Sequence, residues 1–223
     1  SHMGLEKIGI EPNNRGCIEV NENFQTKISN IYAAGDTLGP PALAATSSQQ
    51  GRHVACHAFG HSLGLFPIVY PIGVYTIPEL SMVGKTEAQL TEEGIEYVVG
   101  RARYSEIARG YIRGDSHGLL KIIGCTETHR ILGIHIVGAD ACNLVHIGMA
   151  FMLRDGCMQD FIDMIFNYPT LAEGYRIAAF NALNKIFKDG VIRRPPGDRR
   201  RPPKEITIEG PAKPTKKKVK KRE

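Results

Sequence analysis

The feature of this chain with the most direct chemical potential is a glycine–aspartate pair followed by a small-residue segment. The apolar residues 31–34 predict a short buried strand, which Gly35 and Asp36 end. Residues 39–41 (Gly-Pro-Pro) turn the chain, and residues 42–51 predict the start of a helix. The carboxylate can accept hydrogen bonds from sugar-like hydroxyls, and the helix N-terminus offers N–H groups to a phosphate or an electron-rich ring. An ordinary turn explains the same residues, so the pattern alone leaves both interpretations open.

Three histidines at helical spacing raise the question of a metal site. His53, His57 and His61 lie at i, i+4 and i+8, and Cys56 is adjacent to His57. Imidazoles at i and i+4 can share a metal ion. Gly60, however, predicts that the helix ends before His61, and no carboxylate lies nearby in the sequence. We therefore expect a solvated polar stripe and no metal site.

Charge in this chain is concentrated at one end. The chain has 223 residues and a net charge of +5. Residues 190–223 hold 13 Lys and Arg but only four Asp and Glu, a net charge of +9, so the remainder carries −4. This proline-rich segment has few large apolar residues and is predicted to be disordered. Its lysine cluster at 216–222 could bind nucleic acid, but a solvated extension is the favoured interpretation.

Membrane signals and cysteine spacing indicate the compartment. No run approaches the roughly 20 apolar residues that a membrane-spanning helix needs, and no signal peptide is evident. The five cysteines are scattered without a disulfide-framework spacing, as expected for reduced thiols. We therefore expect a cytoplasmic protein without membrane contact.

Composition and proline positions predict four segments. Residues 1–3 (Ser-His-Met) are typical of the remnant of a cleaved tag. Residues 4–70 form one piece, with a strand expected around residues 17–20, and a pair of prolines marks its end. Residues 71–187 form a second piece, and residues 188–223 form the basic tail.

The second piece predicts an α+β fold. Thr86 and Gln89 fit a capping box that opens a short helix, and Gly94 ends it. Strands and longer helices follow without βαβ alternation, which indicates an antiparallel sheet with helices on one face. The last two strands are joined by a short polar connection and predict a hairpin. The expected strands cover residues 96–103, 119–123 and 131–137, and the longer helices cover residues 139–154 and 170–187.

Several short motifs, in order along the chain, resemble the pyridine nucleotide-disulphide oxidoreductase family. The resemblance runs from residue 4 to residue 187 and implies the family's dimerisation domain, preceded by a remnant of its FAD-binding domain. It also implies a homodimer, an FAD cofactor, and the nicotinamide nucleotides NAD and NADP as small-molecule partners. The FAD-type motifs lie at residues 31–36, 41–45 and 50–52, and those of the dimerisation domain at residues 74–79, 83–87 and 167–173.

This resemblance implies a role for each candidate site residue. Gly35 and Asp36 would hold the ribityl or pyrophosphate side of FAD. Tyr168 and Glu173 would approach the flavin of the other subunit. Backbone contacts near the pyrimidine edge of the flavin would come from Leu43, Ala44 and Ala45.

Tyr168 departs from the family's pattern at an informative position. In disulfide reductases of the family this motif begins with His, and a Glu five positions later orients that His for thiol exchange. Here Glu173 is present, but Tyr168 stands in the place of the His, before Pro169 in the expected first turn of a helix. A tyrosine, with an ordinary pKa near 10, is a poor proton acceptor at neutral pH, so packing at the dimer interface is its alternative role. The departure favours a flavoprotein transhydrogenase over a reductase of the dihydrolipoamide dehydrogenase type.

Other motifs of the family are missing from this sequence. It contains no Gly-x-Gly-x-x-Gly, and no two of its five cysteines lie five residues apart. We therefore expect the C-terminal portion of a longer enzyme that moves hydride between NADPH and NAD through FAD, inactive as this fragment. A non-catalytic homodimerisation module is the alternative from a different class.

Overall fold

The computed structural model describes residues 4–61, 64, 66–67 and 69–187. The expectations for residues 1–3 and for the basic tail at 188–223 lie outside these residues. No helix in the described ranges is long and apolar enough to cross a membrane.

A five-stranded antiparallel sheet forms the centre of the fold. Side chains alternate between its two faces, and Leu120, Ile122, Ile134 and Ile136 are buried on one of them. The three predicted strands and the predicted hairpin are confirmed, with boundaries shifted by no more than two residues. The strands are β1 (Ile72–Val74), β2 (Leu80–Gly84), β3 (Tyr97–Arg103), β4 (Leu119–Cys125) and β5 (Ile131–Val137), in the spatial order β1-β2-β5-β4-β3.

Two long helices cover the buried face of this sheet. α4 (Ala141–Met152) packs against β5 and β2, and α6 (Gly174–Ile186) packs against β3 and β4. α6 approaches β3 closely because Gly100 lacks a side chain; a Cβ there would collide with the backbone of Ala178. The predicted α+β class, an antiparallel sheet with helices on one face, is confirmed. The other helices are α1 (Ala44–Ala58), α2 (Glu87–Glu92), α3 (Ala108–Arg113) and α5 (Met158–Asp163).

The predicted capping box at the start of α2 is confirmed. The Gln89 N–H donates to Thr86 Oγ1 at 3.3 Å, and the Thr86 N–H donates to Gln89 Oε1 at 2.9 Å. Gly94 has a φ of 69°, the left-handed conformation in which glycine ends a helix. The helix is anchored by Leu90, which is fully buried.

The segment before residue 61 differs from its prediction. Residues 31–34 form no strand; only Tyr32 makes an isolated antiparallel bridge, with Gln25. The 3-10 helix Gly35–Leu38 follows directly, and the strand expected at residues 17–20 is not formed. A strand needs a neighbouring strand for its backbone hydrogen bonds, and the described part of this segment supplies only that single bridge.

Candidate functional site

The turn before α1 is fastened to that helix through Gly35. The Gly35 N–H donates to Oε1 of Gln50 at 2.7 Å, and Gln50 is buried on α1. Gly35 has a φ of 80°, a conformation that glycine adopts without strain, and a Cβ there would press on Ser47 Oγ at 3.3 Å. Gln50 is thus a positioning residue that the candidate set from the sequence does not include. Its sequence signal is its place in the FAD-type motif at residues 50–52.

Asp36 is exposed beside the N-terminus of α1. Its Oδ1 accepts a long hydrogen bond of 3.4 Å from Ser47 Oγ, and its main-chain carbonyl accepts from the Gly39 N–H at 3.0 Å. A carboxylate has about four acceptor positions, so most of those on Asp36 stay available to a ligand hydroxyl. The turn is held at its other side by the Ile18 N–H, which donates to the Thr37 carbonyl at 2.8 Å.

The N-terminus of α1 carries accessible backbone N–H groups. The hydroxyls of Thr46 and Ser47 donate to the Leu43 carbonyl at 2.8 and 3.0 Å, and the single Ser47 proton is shared with the longer contact to Asp36. No side chain caps the start of α1 in the part of the chain that the structure describes. Ala44 and Ala45 are exposed. Their N–H groups and the positive end of the helix dipole are therefore open to an anionic or electron-rich ligand.

Tyr168 and Glu173 lie before α6 and do not contact each other through a hydrogen bond. Tyr168 is 73% exposed and is joined to Pro169 by a cis peptide bond. Glu173 is half-buried and ends the 3-10 helix Leu171–Glu173, so α6 begins only at Gly174. The expectation that Pro169 occupies the first turn of the helix is therefore wrong. Neither side chain makes a hydrogen bond or ion pair with another described residue.

Arg176 holds the segment that leads to Tyr168. Its Nη2 donates to the Met164 carbonyl at 2.6 Å, and its guanidinium lies 5.6 Å from the centroid of the Phe166 ring. The exposed Tyr168 ring therefore extends from an ordered segment. The sequence interpretation does not include Arg176, and its only sequence signal is a cation one helical turn after Glu173.

The histidine stripe of α1 is not the solvated stripe that the sequence predicts. His53 is 8% exposed and packs edge-on against Phe24 and Phe66. His57 shares a 2.9 Å hydrogen bond with the hydroxyl of Tyr32. No group of three or more potential metal ligands occurs among the residues described. His53 and His57 thus fasten α1 to the preceding segment.

Hydrogen bonds connect Gly35 and Asp36 to α1, but none among the described residues connects them to Tyr168 or Glu173. Gly35 and Asp36 are bonded to α1 through Gln50 and Ser47. No hydrogen bond or ion pair between described residues links this group to Tyr168 or Glu173. The two candidate groups are therefore not joined by a polar contact within one copy of the described chain.

Two family models match this chain. The model for the pyridine nucleotide-disulphide oxidoreductase dimerisation domain matches residues 70–179. The model for pyridine nucleotide-disulphide oxidoreductase matches residues 1–51. The two matches follow each other without overlap.

Curated relatives share about half of their matched residues with this chain. The soluble pyridine nucleotide transhydrogenase of Mycobacterium bovis (strain BCG / Pasteur 1173P2) is 50% identical over 193 residues, which are 86% of this chain and 41% of the relative. The protein of the same name from Marinomonas sp. (strain MWYL1) is 47% identical over 189 residues, 83% of this chain and 41% of the relative. The chain thus spans about two fifths of the length of these relatives.

Solved structures share the fold. LpdA from Mycobacterium tuberculosis matches with a TM-score of 0.73 and 25% identity, over 80% of this chain and 39% of that chain. The HOCl-induced flavoprotein disulfide reductase RclA from Escherichia coli matches with a TM-score of 0.72 and 28% identity, over 78% of this chain and 41% of that chain.

Proposed function

Since the chain belongs to the pyridine nucleotide-disulphide oxidoreductase family, we propose that it supplies the dimerisation domain and one edge of the FAD site of a flavoprotein transhydrogenase. In this proposal residues 4–70 belong to the FAD-binding domain and residues 71–187 form the interface of a homodimer. The whole enzyme moves hydride between NADPH and NAD. The identity to two enzymes named soluble pyridine nucleotide transhydrogenase supports this reaction.

The observation that carries the proposal is the uncapped N-terminus of α1 beside an exposed carboxylate. The residues present fit FAD, because Asp36 can accept from a ribityl hydroxyl while Ala44 and Ala45 offer N–H groups to a ring edge. Small side chains at both alanines let a flat ring approach the backbone. Gly35 and Gln50 hold this arrangement in place.

FAD, when bound, supplies the two-electron chemistry that carries hydride between two nicotinamides. This chain's contribution is electrostatic and positional. The positive end of the α1 dipole favours negative charge at the adjoining ring edge, which is worth about 0.3–1 kcal/mol at an exposed helix end. Asp36 fixes the orientation of the ligand through hydroxyl contacts. Tyr168 and Glu173 would meet the cofactor only across the proposed dimer.

A disulfide reductase is the second candidate, favoured by the likeness to RclA, which is described as a flavoprotein disulfide reductase. Thiol exchange needs a proton acceptor near the sulfur atoms, and a tyrosine side chain is a poor proton acceptor compared with the histidine of the reductases. Hydride passage needs no such acceptor. Tyr168 therefore favours transhydrogenation over thiol chemistry.

A chimera tests the proposed reaction. The 193 matched residues of the Mycobacterium bovis relative are replaced by those of this chain. We expect the chimera to purify with flavin absorbance and to pass hydride from NADPH to an NAD analogue. Asp36→Asn should weaken FAD binding by about tenfold, because the amide makes weaker hydrogen bonds to hydroxyls than the carboxylate. Asp155→Asn, a change at a 76% exposed side chain, is the matched control and should leave FAD binding unchanged.

Tyr168→Phe in the same chimera tests whether the Tyr168 hydroxyl takes part in hydride transfer. Transhydrogenation should persist within about threefold, since hydride transfer requires no proton from the hydroxyl. A folded chimera without flavin would contradict the proposed site. A large loss of hydride transfer in Tyr168→Phe would show that the hydroxyl takes part in the reaction.

The 223-residue chain alone should bind FAD no more tightly than about millimolar, worth roughly 4 kcal/mol. Asp36 and α1 provide contacts to only one end of the cofactor, and these must offset its lost translational and rotational freedom. Isothermal titration measures this affinity. Stoichiometric flavin in the purified chain would show that these residues build a complete site, and would contradict the expectation that this chain alone is inactive.

A further inference from the structure

The turn between β4 and β5 holds a buried histidine against the C-terminal end of α6. His129 lies in this turn with a φ of 57°, and it is 4% exposed. Its ring packs at right angles to the Phe187 ring, with 5.3 Å between the ring centroids. Phe187 directly follows α6, packs against the core and is the last described residue. One ring contact therefore joins the turn to the end of the described chain.

The Nδ1 atom of His129 is buried and makes no hydrogen bond with any described residue. A neutral imidazole tolerates this environment, because one of its two nitrogens carries no proton. A charged imidazolium carries a proton on both nitrogens, so Nδ1 would become a buried donor without an acceptor. Such a donor is costly until water reaches it. Protonation of His129 therefore opposes the packing of its ring against Phe187.

The charges around His129 do not offset this cost. Burial is the sole cause that lowers the pKa of His129 below its ordinary value, whereas a carboxylate beside the ring would raise that pKa. Arg130, the next residue in the turn, pairs with Asp155 at 3.3 Å. The other charged and thiol groups of the turn, of α5 with its N-cap and of the last turn of α6 are Cys125, Glu127, Cys157, Asp160, Asp163 and Lys185.

The backbones on the two sides of the ring contact are held unequally. The His129 N–H donates to the Cys125 carbonyl at 3.0 Å, and the His129 carbonyl accepts from the Met158 N–H at 2.9 Å. Among the described residues, the Phe187 backbone makes one hydrogen bond, from its N–H to the Leu183 carbonyl at 2.9 Å. Helix ends open at a lower free energy than packed sheets. The end of α6 is therefore the part that moves when the ring contact is lost.

We propose that the contact between His129 and Phe187 is an acid-sensitive clamp, which holds the C-terminal end of α6 on the β4–β5 turn and opens when His129 is protonated. A histidine with a lowered pKa binds its proton more readily in the open state. The clamp is therefore fully effective above the ordinary histidine pKa of about 6.5, and it weakens as the pH falls from there through the folded-state pKa. This inference depends neither on the flavin site nor on the proposed dimer.

Hydrogen exchange of the Phe187 amide in the full chain tests the clamp. After correction for the intrinsic pH dependence of exchange, protection of this amide should fall by about tenfold between about pH 7.5 and about pH 5. NMR measures the rate at this single amide. The Ile122 amide in the centre of the sheet should keep its protection at both pH values.

A variant at His129 separates protonation from other effects of acid. In His129→Asn, the asparagine adopts a positive φ readily but does not titrate, so protection at Phe187 should be the same at both pH values. His117→Asn is the matched control, since His117 is exposed and lies in another loop. This control should keep the tenfold pH effect of the wild type.

The pKa of His129 provides a second measurement. Phe187→Ala should raise this pKa toward the ordinary value, because the phenyl ring would no longer exclude water from the imidazole. Phe180→Ala, a change at a 39% exposed side chain of the same helix, should leave the pKa unchanged. NMR titration of the ring signals gives the pKa, and circular dichroism verifies that all four variants fold.

Four results would overturn the proposal. Protection of the Phe187 amide would be independent of pH in the wild type, or His129→Asn would keep the tenfold pH effect. Phe187→Ala would leave the pKa of His129 unchanged. A wild-type pKa at or above the ordinary value would show that the charged ring stays in place, held by cation–π attraction to Phe187.

Discussion

At the scale of single residues, the buried Tyr175 forms hydrogen bonds with the backbone of α4. Its hydroxyl donates to the Leu144 carbonyl at 2.7 Å and accepts from the Gly148 N–H at 3.2 Å. In a regular helix those two backbone groups bond to each other, so the hydroxyl is inserted into the helix ladder. Gly148 leaves room for it, because a Cβ there would meet the hydroxyl at 3.1 Å and press on Ile134. Burial raises the pKa of the Tyr175 phenol, which keeps its proton in place for this bridge.

Tyr175→Phe should lower the free energy of unfolding by about 1–3 kcal/mol, because two buried backbone groups lose their partner. Urea denaturation followed by circular dichroism measures the change. Tyr111→Phe is the matched control, since Tyr111 is 82% exposed on α3, and it should stay within about 0.5 kcal/mol of the wild type. An unchanged Tyr175→Phe would show that α4 closes its own ladder at this point.

The Glu87–Lys121 pair joins α2 to the sheet and makes a pH-dependent contribution. Its hydrogen bond to Lys121 lowers the pKa of Glu87 below the ordinary value. A carboxyl group with a lowered pKa contributes stability that is fully present above its unfolded-state pKa and is lost as the pH falls through its folded-state pKa. Both side chains keep some exposure, so the contribution is below about 1 kcal/mol.

Glu87→Gln should therefore be less stable than the wild type at pH 7 and equal to it at acidic pH. The difference should shrink below about pH 4.3, the ordinary pKa of a glutamate, and vanish below the folded-state pKa. Urea midpoints measured at several pH values test this. Glu92→Gln, an exposed change on the same helix, controls for the loss of one charge. A difference of constant size down to the lowest pH would contradict the role of the ion pair.

At the scale of elements, α6 protects the free edge of β3. Asn181 Oδ1 accepts from the Arg101 N–H at 3.1 Å, and Lys185 Nζ donates to the Val99 carbonyl at 2.6 Å. An edge strand with unpaired backbone groups can pair with a strand of another chain. Side-chain hydrogen bonds to those backbone groups prevent this pairing. The same helix therefore packs the core through one face and closes the sheet through its polar side chains.

Asn181→Ala should expose the Arg101 N–H to solvent. Hydrogen exchange of that amide should accelerate by about tenfold, which corresponds to the loss of one hydrogen bond of about 1 kcal/mol. NMR-detected exchange measures the rate at this single amide. Asn143→Ala, an exposed change on α4, is the control and should leave the rate unaltered. Retained protection at Arg101 would show that another group covers the edge.

At the scale of the whole molecule, one copy leaves large apolar side chains in solvent. Ile165 is 90% exposed and Tyr168 is 73% exposed after α5, and Leu153 is 54% exposed after α4. Exposed apolar side chains of this size are typical of interaction surfaces. Together with the dimerisation-domain match at residues 70–179, they support the proposed homodimer.

Light scattering should therefore find a dimer at tens of micromolar protein under about physiological salt. Ile165→Asp should weaken that dimer by at least about tenfold, because a charge would be buried in an apolar contact. Phe59→Asp is the matched control, since Phe59 is 80% exposed but lies before residue 71. A monomeric wild-type chain would remove the basis for the proposed interface.

Local interactions explain why much of the second piece is readable from sequence. The bonds between Thr86 and Gln89 join residues three apart, so their pattern predicts the start of α2 without knowledge of the fold. The β4–β5 hairpin joins neighbouring strands, and the long helices α4 and α6 carry many turns of apolar periodicity. The motif residues Gly35 and Asp36 were likewise identifiable from their types and order, although their bonds to α1 were not.

The features that the sequence did not predict depend on contacts between segments that are distant in the chain. Residues 31–34 have the composition of a strand but find only one bridging partner, whereas the short strands β1 and β2 are strands because β5 pairs with β2. His53 reads as polar, yet Phe24 and Phe66 bury it. The strand order β1-β2-β5-β4-β3 differs from the chain order, so the cross-strand neighbours of β2 and β5 cannot be read from the sequence. Sequence determines which side chains each element offers, but pairing and burial depend on the partner that tertiary folding brings to each one.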